Sequence, residues 1–565
     1  MKEKTRLTHI NKRMLLTLLL VTGASCLLAF SRFYIFGDRV LVFKDIGSDT
    51  AQQYLALYAS ISEKIRSGDW TLWNVDNGFG VNMYMCNLFN PLLWILYVVG
   101  AIFGFSPVPQ MLVWWFMLEI LLAALCAYVY LSVFDLPEIA KGIAAYIYAF
   151  NGFLIVWGQH YQFGIICIIL PLLLWSVERY FRDSSKWPLM TIMTAVVVFN
   201  SMYLAYMSLL MTGFYVVLRI LMHENNRPLK YIRRVVATAI PMFLGVFIGM
   251  VSLLPSYIAI KSASNRLDGG MDWGNFLVHM IDRYPNLYFK TALDRLMSSV
   301  GEGISLFHGL LNYYEAPALF FSGLFIILLF QYIFSIPVQK VSRKSKILQV
   351  VFLVLTAGVM YFINIGTILN GFTAPFCRFT FLLMPYFLLI VAFAMKRILE
   401  EKKINLIALL AAALMMAWRG RIILLSDWHN PKKVLLMSFA ACGMMVICLG
   451  ILRFVKKEKS RRIVFIALLL FLFINVSAET YGNFGARDTL LKDDEYFEDV
   501  EDPDTLEALA MIQAEDAGLY RIEKMYGASF CVDAMYQNYQ GVSTYNSVQN
   551  GNIQELVDSD WTQIR

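Results

Sequence analysis

Long apolar blocks separated by short polar connectors run through most of this chain, and that pattern predicts membrane-spanning helices. A span needs about 20 mostly apolar residues, because a helix rises ~1.5 Å per residue across a hydrocarbon core of ~30 Å. Stretches 15–30, 112–134, 235–260, 316–338 and 463–476 approach or meet that test. After the last block, residues 479–565 turn abruptly polar and acidic, with Asp493, Asp494, Glu495, Glu498, Asp499, Glu501, Asp502 and Asp504 in one run.

The placement of basic residues orients the spans. Clusters at the N-terminus, 179–186, 227–234, 340–346, 396–403 and 453–462 belong in the cytoplasm by the positive-inside rule. The chain must therefore cross the membrane an even number of times between them. Before residue 179 lie five apolar blocks: 14–36, 91–105, 111–133, 139–157 and 163–178. An odd count breaks the rule. Block 91–105 would reach only ~22 Å as a helix, so it is assigned to the outer interface. The expectation is about thirteen spans, with the N-terminus cytoplasmic and segments 37–110, 158–162, 261–314, 368–379 and 479–565 outside. In domain terms, 1–478 forms a transmembrane unit with outer loops 37–110 and 261–314. Residues 479–565 form an extracytoplasmic α/β portion that stops in mid-element, so the natural chain is expected to continue beyond it.

Composition removes other classes. The chain is 58% hydrophobic and only 16% charged, where soluble domains run nearer a quarter charged, so a soluble enzyme is excluded. Net charge is +7, but its clumping marks topology and not a nucleic-acid surface. Of eight cysteines, Cys26, Cys126, Cys167, Cys442 and Cys448 sit in apolar segments. No CxxC or Cys/His spacing supports a disulfide framework or a metal site. The first block follows Lys2, Lys4, Arg6, Lys12 and Arg13 and lacks a small-residue cleavage site, which reads as an uncleaved first span.

The densest polar signal is in the first outer loop: Asp45, Asp49, Gln53 and Tyr54, then Trp70, Trp73 and Asn74, Gly78-Phe-Gly80, and Asn90-Pro91. Asp45 and Asp49 would share a face of a helix. Aromatic rings cover apolar sugar faces and carboxylates accept hydroxyl protons, so the mixture suits carbohydrate. A solvated connector with Asp caps and Gly turns fits the same residues.

The order of these features resembles the YfhO family of bacterial membrane proteins, within the GT-C class of lipid-linked-sugar glycosyltransferases. The pieces are Asp49-x3-Gln53-Tyr54, Ser67-Gly68-x-Trp70-x2-Trp73-Asn74, Gly78-Phe-Gly80 and Asn90-Pro91. They continue with Tyr148-Ala-Phe-Asn151-Gly152, Trp157-Gly-Gln159-His160, Leu170-Pro171, Asn312-Tyr313-Tyr314 and Pro375-x2-Arg378-Phe379. Tyr520-Arg521-Ile-Glu523 and Tyr539-Gln-Gly541 follow in the tail. Cys377 before Arg378 departs from the pattern. So does the absence of a terminal span.

The resemblance implies an all-α polytopic, GT-C-like fold and a hexosyltransferase in the cell membrane. The donor would be a polyprenyl-phosphate sugar and the acceptor a cell-envelope polymer such as teichoic acid. It implies a catalytic carboxylate in the first outer loop, here Asp49 with Asp45 as fallback. Substrate-binding candidates are Gln53, Tyr54, Trp73, Asn90, His160, Arg266 and Arg378. No cofactor is assigned, and a divalent metal is left open. Arg378 can fork onto phosphate or snorkel from a span end. His160 can serve the acceptor site or rest on a backbone partner, and Arg266 can be a topology charge. Rival readings are a transporter or lipid flippase, and a non-catalytic envelope assembly factor. Convergence of Asp49, Arg378 and the Asn90-Pro91 region on one place would favour the enzyme.

Overall fold

The computed structural model describes residues 10–543 apart from 36, 46–47, 84–87, 89, 91, 224–227, 264–277, 279–280, 301–305, 308–309, 312–313, 373–376, 426–430, 501, 517 and 525–531. Apolar blocks become helices because a bilayer offers no water to a backbone N–H or C=O, and a helix satisfies both within one segment. Among the described residues ten helices are long and apolar enough to cross a membrane. That is fewer than the thirteen or so expected from pattern and charge. Helices Trp187–Asn200, Gly323–Ser335 and Arg343–Val359 have 14, 13 and 17 residues. At 1.5 Å per residue they reach roughly 20–26 Å, short of the hydrocarbon core.

Lipid-facing and buried faces separate at helical spacing. Helix Pro228–Ala263 leaves Val236, Ile240, Phe243, Phe247, Val251, Leu254 and Ile258 exposed, a stripe of three- and four-residue steps. Polar pins join buried faces: Ser25 and Tyr146 hydroxyls meet at 2.7 Å, and Tyr130 donates to Tyr215 at 3.0 Å. Such interhelical bonds add on the order of 0.6 kcal/mol each. Helix Trp94–Phe103 buries Leu96, Tyr97 and Gly100 and exposes Ile95, Val98, Ile102 and Phe103. At ten residues, ~15 Å, it is too short to span.

The loop after the first span forms one assembly with the chain that follows the last span. Strand β1 (Arg39–Phe43) pairs antiparallel with β2 (Thr489–Leu491), Arg39 opposite Leu491 and Phe43 opposite Thr489. Lys44 pairs with Asp494, and Tyr496 donates to the Ala51 carbonyl at 3.2 Å. Further along, Arg521 donates to the carbonyls of Val75 and Gly541 at 3.1 and 2.8 Å, pinning the first loop again. The change of composition at 479 does not coincide with an element boundary, since helix Glu458–Gly485 runs through it with Glu479 fully buried. The described part of the tail holds strand β2, whose partner lies in the first loop, an isolated bridge between Ile522 and Gly541, and short helices Glu495–Val500, Pro503–Glu515 and Ala534–Gln537.

Candidate functional site

Two interruptions in the apolar pattern build the site. Helix Glu138–Ala149 ends at Asn151, whose side chain accepts from Leu154 N–H at 3.0 Å and starts the short helix Gly152–Trp157. A tight turn over 158–160 follows, then helix Tyr161–Arg182. Gly158 permits that turn to lie against the Phe116 ring, since a Cβ there would come within 2.1 Å of it. The turn delivers Gln159 and His160, both buried, to the end of the bundle that carries the loop after the first span.

From that loop, Asp49 begins the turn Thr50–Tyr54, which continues as helix Leu55–Ser67. Asp49 Oδ2 lies 3.7 Å from His160 Nδ1, and the Tyr54 hydroxyl shares a 2.8 Å hydrogen bond with the same nitrogen. The His160 ring sits among Tyr54, Trp157, Phe163 and Tyr314, with centroids 5.2–5.7 Å away. Asp49 keeps 29% of its side chain exposed and is the accessible carboxylate of the cluster.

Asp45 and Asp49 do not share a helical face, contrary to the expectation from spacing. Asp45 lies in the bend before the turn and is spoken for by Arg487. Arg487 Nη2 donates to Asp45 Oδ1 at 2.6 Å and to Gln159 Oε1 at 2.9 Å, and the guanidinium also bonds Asp45 Oδ2 and the Tyr314 hydroxyl. Its Cζ stacks 4.1 Å from the Phe43 ring centroid. Adjacent to Tyr314, Glu315 holds the second arginine: Arg378 Nε donates to Glu315 at 3.1 and 3.2 Å, and Nη2 bonds the same carboxylate. Arg378 also lies over the Trp157 ring, at 5.6 Å. The two ion pairs cancel in charge. Asp49 adds a third carboxylate to the site, beside a neutral histidine.

Burial, and after it the positive charges of Arg378 and Arg487, push the His160 pKa down to about 3. In the unfolded chain the ring takes a proton near pH 6.5. The unfolded chain thus binds more protons between these values. The contribution of His160 to stability is full above about pH 6.5 and is lost as pH falls toward 3. Lowering pH from about 7.5 to about 5 should therefore reduce the unfolding temperature of the wild type more than that of His160→Gln. An equal drop in both would show that the imidazole is not held neutral.

The remaining candidates are placed as follows. Gln53 occupies the same turn as Tyr54, half-buried. Trp73, 46% exposed, lies against Gly80, where φ is +111° and a Cβ would come within 2.2 Å of the indole nitrogen. Asn90 is buried and bonded elsewhere, donating to Asn200 Oδ1 at 2.7 Å and accepting from Leu92 N–H at 3.2 Å. Arg266 and Pro91 lie outside the described residues. Among the described residues no group of three or more His, Cys, Asp or Glu is placed to hold a metal.

Sequence reading missed Arg487, Glu315, Gln159 and Tyr314 as members of this cluster, and also overlooked charges inside spans. Arg419 pairs with Asp294, both buried. Glu119, in the middle of helix Val108–Leu131, is 1% exposed. Neither of its oxygens meets a hydrogen-bond partner at good geometry, the Trp115 indole being the neighbouring donor. A lone acid within an apolar block is a signal legible in sequence.

A family model described as "Bacterial membrane protein YfhO" matches residues 14–562. No curated protein matches the chain. Among solved structures, ArnT from Cupriavidus metallidurans in the apo state is similar at 12% identity over 93% of this chain and 84% of that one, with a TM-score of 0.43. The arabinofuranosyltransferase AftD from Mycobacteria is similar at 13% identity over 73% of this chain and 26% of that one, also at 0.43. ArnT from Cupriavidus metallidurans bound to undecaprenyl phosphate gives 13%, 94%, 84% and 0.39. Likeness at this level assigns neither substrate nor function.

Proposed function

The chain belongs to the YfhO family of bacterial membrane proteins, and we propose that it transfers a sugar from a polyprenyl-phosphate donor to a hydroxyl of a cell-envelope polymer on the outer face. The observation that carries this reading is a partly exposed carboxylate, Asp49, beside a neutral histidine that feels two arginines, each held by its own ion pair.

In this reading Asp49 accepts the proton of the acceptor hydroxyl as its oxygen attacks the anomeric carbon. The bond from that carbon to the phosphate oxygen breaks on the opposite face, and polyprenyl phosphate leaves with the electron pair. Configuration inverts. A neutral His160 supplies no proton to Asp49, so the carboxylate stays available as a base at neutral pH. Arg378 offsets the leaving phosphate charge. Glu315 takes its Nε and Nη2 edge, so the guanidinium is held in place and that edge offers phosphate no two-pronged fork. Positioning, rather than the fork, is what Arg378 contributes.

Arg378→Lys should lower sugar transfer by about tenfold or more with normal membrane levels, since an ammonium cannot hold Glu315 and phosphate in one plane. Full activity of the lysine variant would reduce Arg378 to a point charge. The broader test compares envelope glycan composition in a deletion strain, the complemented strain and one complemented with Asp49→Asn. The wild-type gene should restore a sugar that the variant does not. A deletion that leaves the glycan unchanged overturns the assignment.

One observation favours a transport reading, the Glu119 carboxyl buried within a span. Under that reading Glu119→Gln abolishes function and Asp49→Asn does not. The enzyme reading expects the reverse.

A further inference from the structure

The tail packs on the helical bundle around a cavity of about 190 Å³. Its walls come from separate parts of the chain. Phe105 and Ser106 lie in the connector before helix Val108–Leu131, and Gln110 lies in that helix's first turn. Lys492 follows β2, Phe497 belongs to helix Glu495–Val500, and Tyr536 belongs to helix Ala534–Gln537. The cavity adjoins the turn that Asp49 begins. Tyr496, also in its wall, donates to the Ala51 carbonyl at 3.2 Å and is bonded to the Tyr536 hydroxyl.

Two kinds of surface face each other here. Phe105, Phe497 and Tyr536 are half-buried, and Phe105 meets Tyr536 edge-on with ring centroids 5.3 Å apart. The side chains of Ser106, Gln110 and Lys492 are exposed and make no hydrogen bond or ion pair among the described residues. A hydroxyl, an amide and an ammonium thus stand free beside an aromatic wall. An acyl chain would use the wall and leave the polar groups idle. Lys492 is followed by Asp493, and Phe497 by Glu498 and Asp499, so the rim is no trap for a polyanion.

We propose that this cavity binds one uncharged sugar ring of a glycan. The apolar C–H face of the ring lies on Phe105, Phe497 and Tyr536, and its hydroxyls bond Ser106, Gln110 and Lys492. The volume falls below the roughly 300 Å³ at which sites for drug-sized ligands begin, which matches a single ring. Sugar binding here does not depend on transfer at Asp49. Only the role of the bound glycan as acceptor rests on that reading.

The test uses the purified full chain in lipid nanodiscs and saturation-transfer NMR with the methyl β-glycosides of glucose, galactose and N-acetylglucosamine. At least one should receive saturation, most strongly at its ring C–H protons. Gln110→Ala removes an exposed side chain with no protein partner to lose, and it should weaken binding of that glycoside about fivefold, the worth of one net hydrogen bond. Ser106→Trp places a large side chain in the cavity and should abolish the signal. No saturation of any of the three by the wild type overturns the proposal. So does a wild-type affinity kept by Gln110→Ala, or a signal that survives Ser106→Trp. Glycoside binding without sugar transfer from a polyprenyl-phosphate donor would keep this site and remove only its acceptor role.

Discussion

Asp49→Asn is expected to cut sugar transfer by at least about 100-fold, the usual loss when a general base is removed, while the amount of protein in the membrane stays at the wild-type level. Asn keeps the size and the hydrogen-bonding capacity of Asp but cannot take the acceptor proton. The fold should tolerate it, because the Asp49 side chain is 29% exposed and its approach to His160, 3.7 Å, is beyond hydrogen-bond length. Asp45→Asn is the control with the opposite expectation. Asp45 is tied to Arg487, so its loss should reduce the yield of folded protein and spare transfer per folded molecule. Transfer measured on purified protein with a polyprenyl-phosphate sugar donor separates the two. If Asp45→Asn abolishes transfer at normal protein levels while Asp49→Asn leaves it intact, Asp49 is not the base.

Arg487→Met should be the most destabilising single change in the outer assembly. It takes away the guanidinium bonded to both oxygens of the Asp45 carboxylate, which is 10% exposed. Breaking a buried pair from one side costs about 3–5 kcal/mol. It also withdraws the donor to Gln159 and Tyr314, next to His160. Thermal unfolding of the purified protein should show a clear drop for Arg487→Met and partial recovery in the Asp45→Leu/Arg487→Met double variant, where no buried charge is left alone. Unfolding at the wild-type temperature in the single variant would mean that the ion pair carries no weight. A double variant no better than the single would assign the loss to Gln159 and Tyr314 instead.

The sequence by itself determined the helices, because apolar blocks in a bilayer have few other ways to satisfy their backbones. It also located the turn before Tyr161, where Gly158 and polar residues interrupt the pattern, but the break at Asn151-Gly152 lies inside what reads as one block, 139–157. That block 91–105 is too short to span was legible as well, and its helix Trp94–Phe103 has ten residues. Length was read less well elsewhere. Apolar composition does not say where a helix stops, so Gly323–Ser335 passed for a span from its pattern over 316–338. The site was decided by tertiary structure. Asp49, Tyr54 and His160 could be nominated one by one, but nothing in their spacing brings residues 54 and 160 to a shared hydrogen bond. Arg487 lies 442 positions from Asp45 and sits at the edge of an acidic run, where a basic residue reads as one more surface charge. Glu315 lies 63 positions from Arg378. Charge states what a side chain can pair with and carries no distance. Only the pairing of strand Arg39–Phe43 with Thr489–Leu491 sets Arg487 against Asp45, and strands of five and three residues are too short for alternation to announce their partner.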